Sequence, residues 1–209
     1  MEIAELNKLF GNVDIYLLDQ ILKGRFSKEM KILDAGCGEG RNTVYFIREG
    51  YQIFGIDPNE IAIQYCRYQA KSLNPNYDVY RFLEGKLEDI PFHSSSFDAV
   101  ICSAVLHFAS DVDNFWEMID EIHRILKPGG IFWFRMCTGV GGILSESKPL
   151  GKGRYHLPDD SDRFVLTLED VDKLQEKGFQ FLEQPKTVLV LDQREMGAFM
   201  MKKNETAGH

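Results

Sequence analysis

The sequence has no run of about 18 apolar residues, so no membrane-spanning helix and no membrane partner are expected. Its start, MEIAELNKLF, carries two glutamates and lacks an apolar leader segment, so it does not read as a signal peptide. Cysteine is scarce: Cys37, Cys66, Cys102 and Cys137 lie far apart and form no C-x-x-C pair. That spacing argues against a disulfide framework or a zinc site and points to reduced thiols in a cytoplasmic protein, with no metal expected. Three of the four sit at or near expected strand ends, where cysteine serves as a small apolar residue. Internal repeats, low-complexity tracts and any composition break marking a second domain are absent. Positive charge is in deficit, 24 Lys and Arg against 32 Asp and Glu, for a formal net charge of −8. Nucleic-acid binding draws on clustered Lys and Arg, so nucleic acid is not an expected partner.

What is present is an ordinary composition, 44% hydrophobic and 27% charged, in 209 residues, enough for one α/β domain with a sizeable core. Apolar runs alternate with helical patterns. "KILDA" (31–35) reads as a buried strand, followed by a glycine turn and a helix from near Arg41 to about Glu49. "QIFGID" (52–57) reads as a second strand, and "NEIAIQYCRYQAKS" (59–72) as a helix with Asn59 as its N-cap. "YDVYRFLEG" (77–85) alternates like a third strand, and "FDAVICS" (97–103) is a fourth. Val112, Phe115, Ile119, Ile122 and Leu126 fall on one helical face, and "KPGG" ends that helix before a fifth strand over 131–136. Phe132, Trp133 and Phe134 inside that strand read as core. The order predicts a doubly wound parallel sheet with right-handed crossovers.

The C-terminal part departs from that alternation. A polar, Gly-rich stretch leads to "TLEDVDKLQEKG", a helix capped by Thr167 and ended by Gly178. "KTVLVLD" and "MGAFMMKK" follow, joined by little more than "QRE", too short for a crossover helix. These two are expected to be antiparallel. At the other end, the run containing Phe10, Tyr16, Leu17 and Leu18 reads as an amphipathic helix.

In an open parallel sheet, ligands bind at the carboxyl ends of the strands where strand order reverses. Gly36, Gly38 and Gly40 follow the first strand, so backbone can approach a ligand there without Cβ interference. Asp57 ends the second strand, 17 residues beyond Gly40, where an acid can accept both hydroxyls of a ribose. A nicotinamide-binding turn reads G-x-G-x-x-G/A, but here the third small position is Arg41, which disfavours close approach of a diphosphate. An amino-acid carboxylate is smaller and can be met by loop amides, while Asp34 can balance an ammonium or sulfonium. The turn by itself fits any adenosine-containing ligand.

Beyond the turn, the sequence resembles the class I S-adenosylmethionine-dependent methyltransferases, close to the type 11/12 families. "ILDAGCGEGRN" is similar to that family's first motif and "GIDPNEIAI" to its second. "LEGKLEDIPFHSSSFDAVICSAVLHF" resembles the third and fourth, "RILKPGGIFWF" the entry to the fifth strand, and "LTLEDVDKLQEKGFQFLE" the last helix and sixth strand. The resemblance implies a Rossmann-like α/β fold: a mostly parallel seven-stranded sheet with an antiparallel C-terminal hairpin. It implies one domain over 1–209, with a helical cap (1–30), a cofactor-binding core (31–136), a substrate-side loop (137–166) and a C-terminal helix and hairpin (167–209).

Carried residue by residue, it places Asp34, Gly36, Cys37, Gly38, Gly40 and Asn42 around the methionyl part of S-adenosyl-L-methionine. Asp57 holds the ribose, Pro58 or Ile61 packs near the adenine, Leu87 and Glu88 face its edge, and Ser103 and Ala104 floor the methyl site. One departure stands out: the family's third motif commonly reads Gly-Asp, and here Gly85 is followed by Lys86, leaving Glu88 or Asp89 as substitutes. His107 is the candidate base, with a buried, backbone-satisfied histidine as the alternative. Arg41, His107, Tyr155, His156 and Arg163 are the substrate candidates, against ordinary surface and loop roles.

The implied activity is in-line methyl transfer to a small-molecule acceptor by a monomer or homodimer. "GRN" is similar to the tellurite-resistance branch, and the fourth strand ends "CSAV" where amino-methylating enzymes of macromolecules carry asparagine-proline. A cofactor-binding regulatory module and a nicotinamide-dependent oxidoreductase are the competing readings.

Overall fold

The computed structural model describes residues 2–205. The chain begins with helices α1 (Ile3–Phe10) and α2 (Ile15–Leu22), then alternates β1 (Lys31–Ala35), α3 (Val44–Arg48), β2 (Gln52–Asp57), α4 (Glu60–Leu73) and β3 (Phe82–Glu84). It continues with β4 (Phe97–Ser103), α5 (Val112–Ile125) and β5 (Leu126–Cys137), then three short strands β6 (Lys148–Gly151), β7 (Arg154–His156) and β8 (Asp162–Phe164). Helix α6 (Leu168–Glu176) and strands β9 (Phe179–Phe181), β10 (Lys186–Val190) and β11 (Arg194–Lys203) complete it.

The main sheet runs β3-β2-β1-β4-β5-β11-β10, parallel through β5 and antiparallel from β11 onward. Strand β9 pairs with Met201–Lys203 of β11 and β10 with Arg194–Ala198. The two share one edge of β11, as an outer strand interrupted around Pro185. The seven-position sheet and the antiparallel hairpin expected from sequence are therefore what the chain forms.

Its central strands are buried on both faces, which is why they read as continuous apolar runs. Leu33, Val100, Cys102, Phe132, Phe134 and Met136 face a core shared with α5 and α6. Ile32, Ala99, Ile101 and Trp133 face the opposite core, shared with α2, α3 and α4. Phe134 stacks on both Phe132 and Phe199, each at 4.7 Å between centroids.

Several local expectations are corrected. The third strand begins only at Phe82, because Asp78 caps a 3₁₀ turn over Val79–Arg81 that takes up the first half of the run. Helix α3 starts at Val44 rather than Arg41, since residues 41–43 are turns held by Thr43 Oγ donating to the Gly40 carbonyl at 2.8 Å. Helix α5 ends at Ile125, where Leu126 is already extended; Lys127 and Pro128 belong to β5. The N-terminal segment is two helices, broken at Gly11 with φ +62°. Asn59 and Thr167 cap their helices as expected, Thr167 in a capping box with Asp170.

The largest correction concerns 137–166, expected as a loop. It contains an antiparallel three-stranded sheet, β6-β7-β8, whose three- and four-residue strands are too short to show alternation in sequence. Phe164 stacks at 4.5 Å on Phe115 of α5 and fixes this small sheet to the domain.

Candidate active site at the strand ends

Strand order reverses between β1 and β4, and the loops leaving these strands part at the carboxyl end of the sheet. They meet first: a Cβ on Gly36 would lie 2.5 Å from Val105 Cγ2, and Gly36 has φ +77°. Above this contact opens a cavity of about 810 Å³. The β1 loop contributes Gly36, Cys37, Gly38, Glu39, Arg41 and Asn42; the end of β2 contributes Asp57 and Pro58. Lys86, Leu87 and Glu88 form one flank. Ser103, Ala104 and Val105 form the floor, with Phe108 and Met118 beyond them and Asn12 at the rim.

At the glycine-turn end the backbone is tightly bound. The amides of Gly36 and Cys37 donate to the Ile56 carbonyl at 2.8 and 2.9 Å, and Gly40 N–H donates to the Cys37 carbonyl at 2.9 Å. Gly38 N–H donates to Asp57 Oδ2, and Asn59 N–H to Asp57 Oδ1, both at 2.9 Å. These glycine-turn amides are thus engaged within the fold, so the expected carboxylate contact is not theirs to make. Arg41, from the same loop, lines the cavity, and its Nη2 donates to Ser103 Oγ at 3.2 Å, so its guanidinium reaches from the turn to the end of β4.

Beside the turn, Asp34 is 1% exposed, and among the described residues neither carboxylate oxygen has a hydrogen-bond partner. Burial raises its pKa to about 7, against the opposing pull of Arg41. Cys37, 29 positions before Cys66, is brought beside it by the fold, and Cys66 Sγ on α4 donates to the Gly38 carbonyl at 3.1 Å. Burial and this partner push the Cys37 thiol up, which keeps it protonated.

The opposite end is organised by Asp14, the N-cap of α2, which no sequence motif singled out. Its Oδ1 accepts from Tyr16 N–H at 3.0 Å, as capping requires. Its Oδ2 accepts from Arg135 Nη1 at 3.2 Å, Ser103 Oγ at 3.1 Å and, more weakly, Arg41 Nη2 at 3.4 Å. Asp14 N–H donates to Asn42 Oδ1 at 3.0 Å. One buried carboxylate thus ties the N-terminal segment to the β1 loop and to the ends of β4 and β5.

The remaining candidates divide. Gly40 is packed against Cys66 and Thr43 beneath the turn. Ile61 is 77% exposed and lies outside the cavity lining, so Pro58 is the nearer of the two adenine-side candidates. Of the two readings of His107, the geometry matches the buried, backbone-satisfied one rather than the base: it is 6% exposed, outside the lining, and its Nδ1 accepts from Cys137 N–H at 3.3 Å. Burial, reinforced by Arg163, Arg194 and Arg135, lowers its pKa to about 4, so it is neutral at ordinary pH.

His156 is held by Asp162 at 2.8 Å and is not part of the lining. Tyr155 packs with Ala104 around Cys137, Leu157, Val165 and Met196, and Arg163 lies with its guanidinium carbon 4.8 Å from the Phe108 ring centre. Phe108, Val105 and Met118 were missed because each reads as ordinary core in sequence. Lys86, noted only as a departure, lines the cavity. Asp14 and Arg135 are 121 positions apart and carried no joint signal.

Residues 33–134 match the methyltransferase domain family. The chain is 34% identical to an uncharacterized methyltransferase of Synechocystis sp. over 106 residues, 51% of this chain and 46% of that one. It is 30% identical to the thiol S-methyltransferase TMT1B of Rattus norvegicus over 170 residues, 78% of this chain and 66% of the relative. It therefore spans less than two thirds of either curated relative's length. In fold it is similar to a SAM-dependent methyltransferase from Methanosarcina mazei, with TM-score 0.72 and 21% identity, covering 89% of this chain and 98% of that structure.

Proposed function

This chain belongs to the class I S-adenosylmethionine-dependent methyltransferases, and from that premise we propose that it methylates a small-molecule acceptor by in-line displacement within the strand-end cavity. The observation that carries the proposal is the donor end of that cavity. There Gly38 leaves open space where a side chain would stand, Asp57 lines the opening, and the buried Asp34 carboxylate, two residues before Gly36, has no hydrogen-bond partner among the described residues. A cation held nearby is what an unpaired buried carboxylate needs. The methionyl ammonium meets that need, so these residues fit the cofactor.

In this reading Asp57 holds the ribose hydroxyls, Pro58, Leu87 and Glu88 border the adenine, and Arg41 takes the methionyl carboxylate. S-adenosylmethionine, when bound, supplies a methyl group on a sulfonium with a neutral thioether as leaving group. No side chain has to protonate that leaving group. Ser103, Ala104 and Val105 form the floor that orients the acceptor, and Phe108 and Met118 keep water from the reacting atoms. The name of the rat relative, a thiol S-methyltransferase, supports a small acceptor without fixing its identity.

The test is a labelled-methyl screen. Wild type incubated with methyl-labelled S-adenosylmethionine and a fractionated metabolite extract is expected to transfer label to a small organic product, and Asp57→Ala to lose that transfer. Cofactor binding without label in any fraction would instead identify a binding module.

A further inference from the structure

Cations gather around the buried His107, next to Phe108 of the cavity wall, although the chain is acidic overall. Arg135, Arg163 and Arg194 all bear electrostatically on the buried His107, and Arg41 enters from the β1 loop. Most of this charge is already matched. Arg41 and Arg135 share Asp14, at 3.4 and 3.2 Å, and Arg194 pairs with Asp159 at 3.3 Å. Arg163 differs: among the described residues no carboxylate lies within salt-bridge distance of it. Its neighbour Asp162 is turned to His156. Lys86, which lines the cavity with Leu87 and Glu88, also has no carboxylate within salt-bridge distance among the described residues.

Arg163 is also held in place. Its Nη1 donates to the Asp162 carbonyl at 2.8 Å, and its guanidinium lies over the ring of Phe108. Stacking on an aromatic face leaves the in-plane N–H groups free at the edge, the geometry that receives a carboxylate. Phe108 is 61% exposed and is itself a wall of the cavity, next to Val105 and Met118. Tyr155, the cross-strand partner of Arg163 in β7–β8, packs on the same buried cluster of Cys137, Leu157, Val165 and Met196 as Ala104 of the cavity floor. An exposed aromatic wall capped by a fixed, unmatched guanidinium is complementary to a molecule that is apolar along its body and anionic at one end.

We propose that the acceptor side of the cleft recognises an apolar carboxylate, Arg163 binding its carboxylate group while its hydrophobic body lies against Phe108, Val105 and Met118. This rests on the methyltransferase reading of the same cleft. The small antiparallel sheet is then a specificity element, since β8 sets Arg163, itself outside the lining, against Phe108 of the cavity wall.

The experiment is calorimetric titration of the protein saturated with S-adenosylhomocysteine, using straight-chain and phenyl-substituted carboxylates of four to ten carbons and the primary amide of each. At least one acid is expected to bind at least about tenfold more tightly than its amide, as a charge-assisted, bidentate contact provides. Arg163→Gln is expected to abolish that preference and Arg163→Lys to retain part of it. Equal binding of acid and amide, no saturable binding across the series, or a preference unchanged in Arg163→Gln would overturn the proposal. S-adenosylhomocysteine affinity, measured in the same samples, separates the two readings. Lost cofactor binding in wild type counts against the methyltransferase site itself, whereas intact cofactor binding without acid preference counts against the carboxylate anchor alone.

Discussion

The two ends of the cleft are built on opposite principles. The donor end is backbone: three glycines, amides satisfied within the turn, and two aspartates within one short stretch of β1, its loop and β2. The acceptor end is side chains from distant places, with Asp14, Ser103, Arg135, Phe108 and Arg163 arriving from five separate segments. A site made of local backbone constrains residue type at fixed spacing. A site assembled by tertiary packing constrains only what meets in space. The first kind suits a ligand that does not vary and the second a ligand that does.

The sharpest way to break the donor end is to fill the contact between its two loops. Gly36→Ala places a Cβ 2.5 Å from Val105 and forces an alanine to φ +77°. The combined overpacking and backbone strain are expected to cost about 2–4 kcal/mol in denaturant unfolding. In a Val105→Ala background both methyl clashes are gone and only the 3.1 Å approach to the Cβ of residue 105 remains, so the same change should cost distinctly less, about 1–2 kcal/mol. Equal costs in both backgrounds would show that the two loops are not pressed together as described.

The acceptor end should tolerate a comparable change at His107. If His107 were the base, its loss would lower kcat by about 100-fold or more. Here it is a neutral, buried acceptor for Cys137 N–H, so His107→Asn, which keeps an acceptor, is expected to hold kcat within about threefold, a loss too small for a general base. Its signature is in stability instead. The folded histidine resists protonation until about pH 4, while an unfolded one gains its proton near pH 6.5. The unfolded state therefore binds more protons across that window, and wild-type stability falls as pH drops from about 6.5 to 4. His107→Asn should flatten this part of the acid limb.

The same contrast decides what was readable in the sequence. Strand order, the reversed hairpin and the Asn59 and Thr167 caps follow from periodicity and local chemistry, and each is present in the fold. The early half of "YDVYRFLEG" misled because Asp78 caps a competing 3₁₀ turn there. The β6–β8 sheet was invisible because its strands are too short for a pattern and are anchored by Phe164 on Phe115, a tertiary contact. At the site, Gly36, Gly38 and Asp57 are legible because geometry demands those residue types. Asp14 was not, because an N-cap aspartate looks the same in sequence whether or not it also holds Ser103 and Arg135. His107 was chosen for its chemistry, and only burial shows that this chemistry is switched off.

The account stands most directly on the donor end, and one calorimetric series tests it: S-adenosylhomocysteine titrated into wild type and Asp57→Ala, in buffers of differing ionisation heat. Free Asp34, with its pKa near 7, is partly protonated at pH 6.5, and a bound ammonium favours its ionised form. The complex therefore binds fewer protons than the free protein, so affinity should rise with pH and level off above about 7. The account predicts saturable binding with proton release at pH 6.5 and an affinity at least about tenfold weaker in Asp57→Ala, the scale of lost hydrogen bonds to a charged group. Unchanged affinity in the mutant, or binding with no proton release below pH 7, would contradict it.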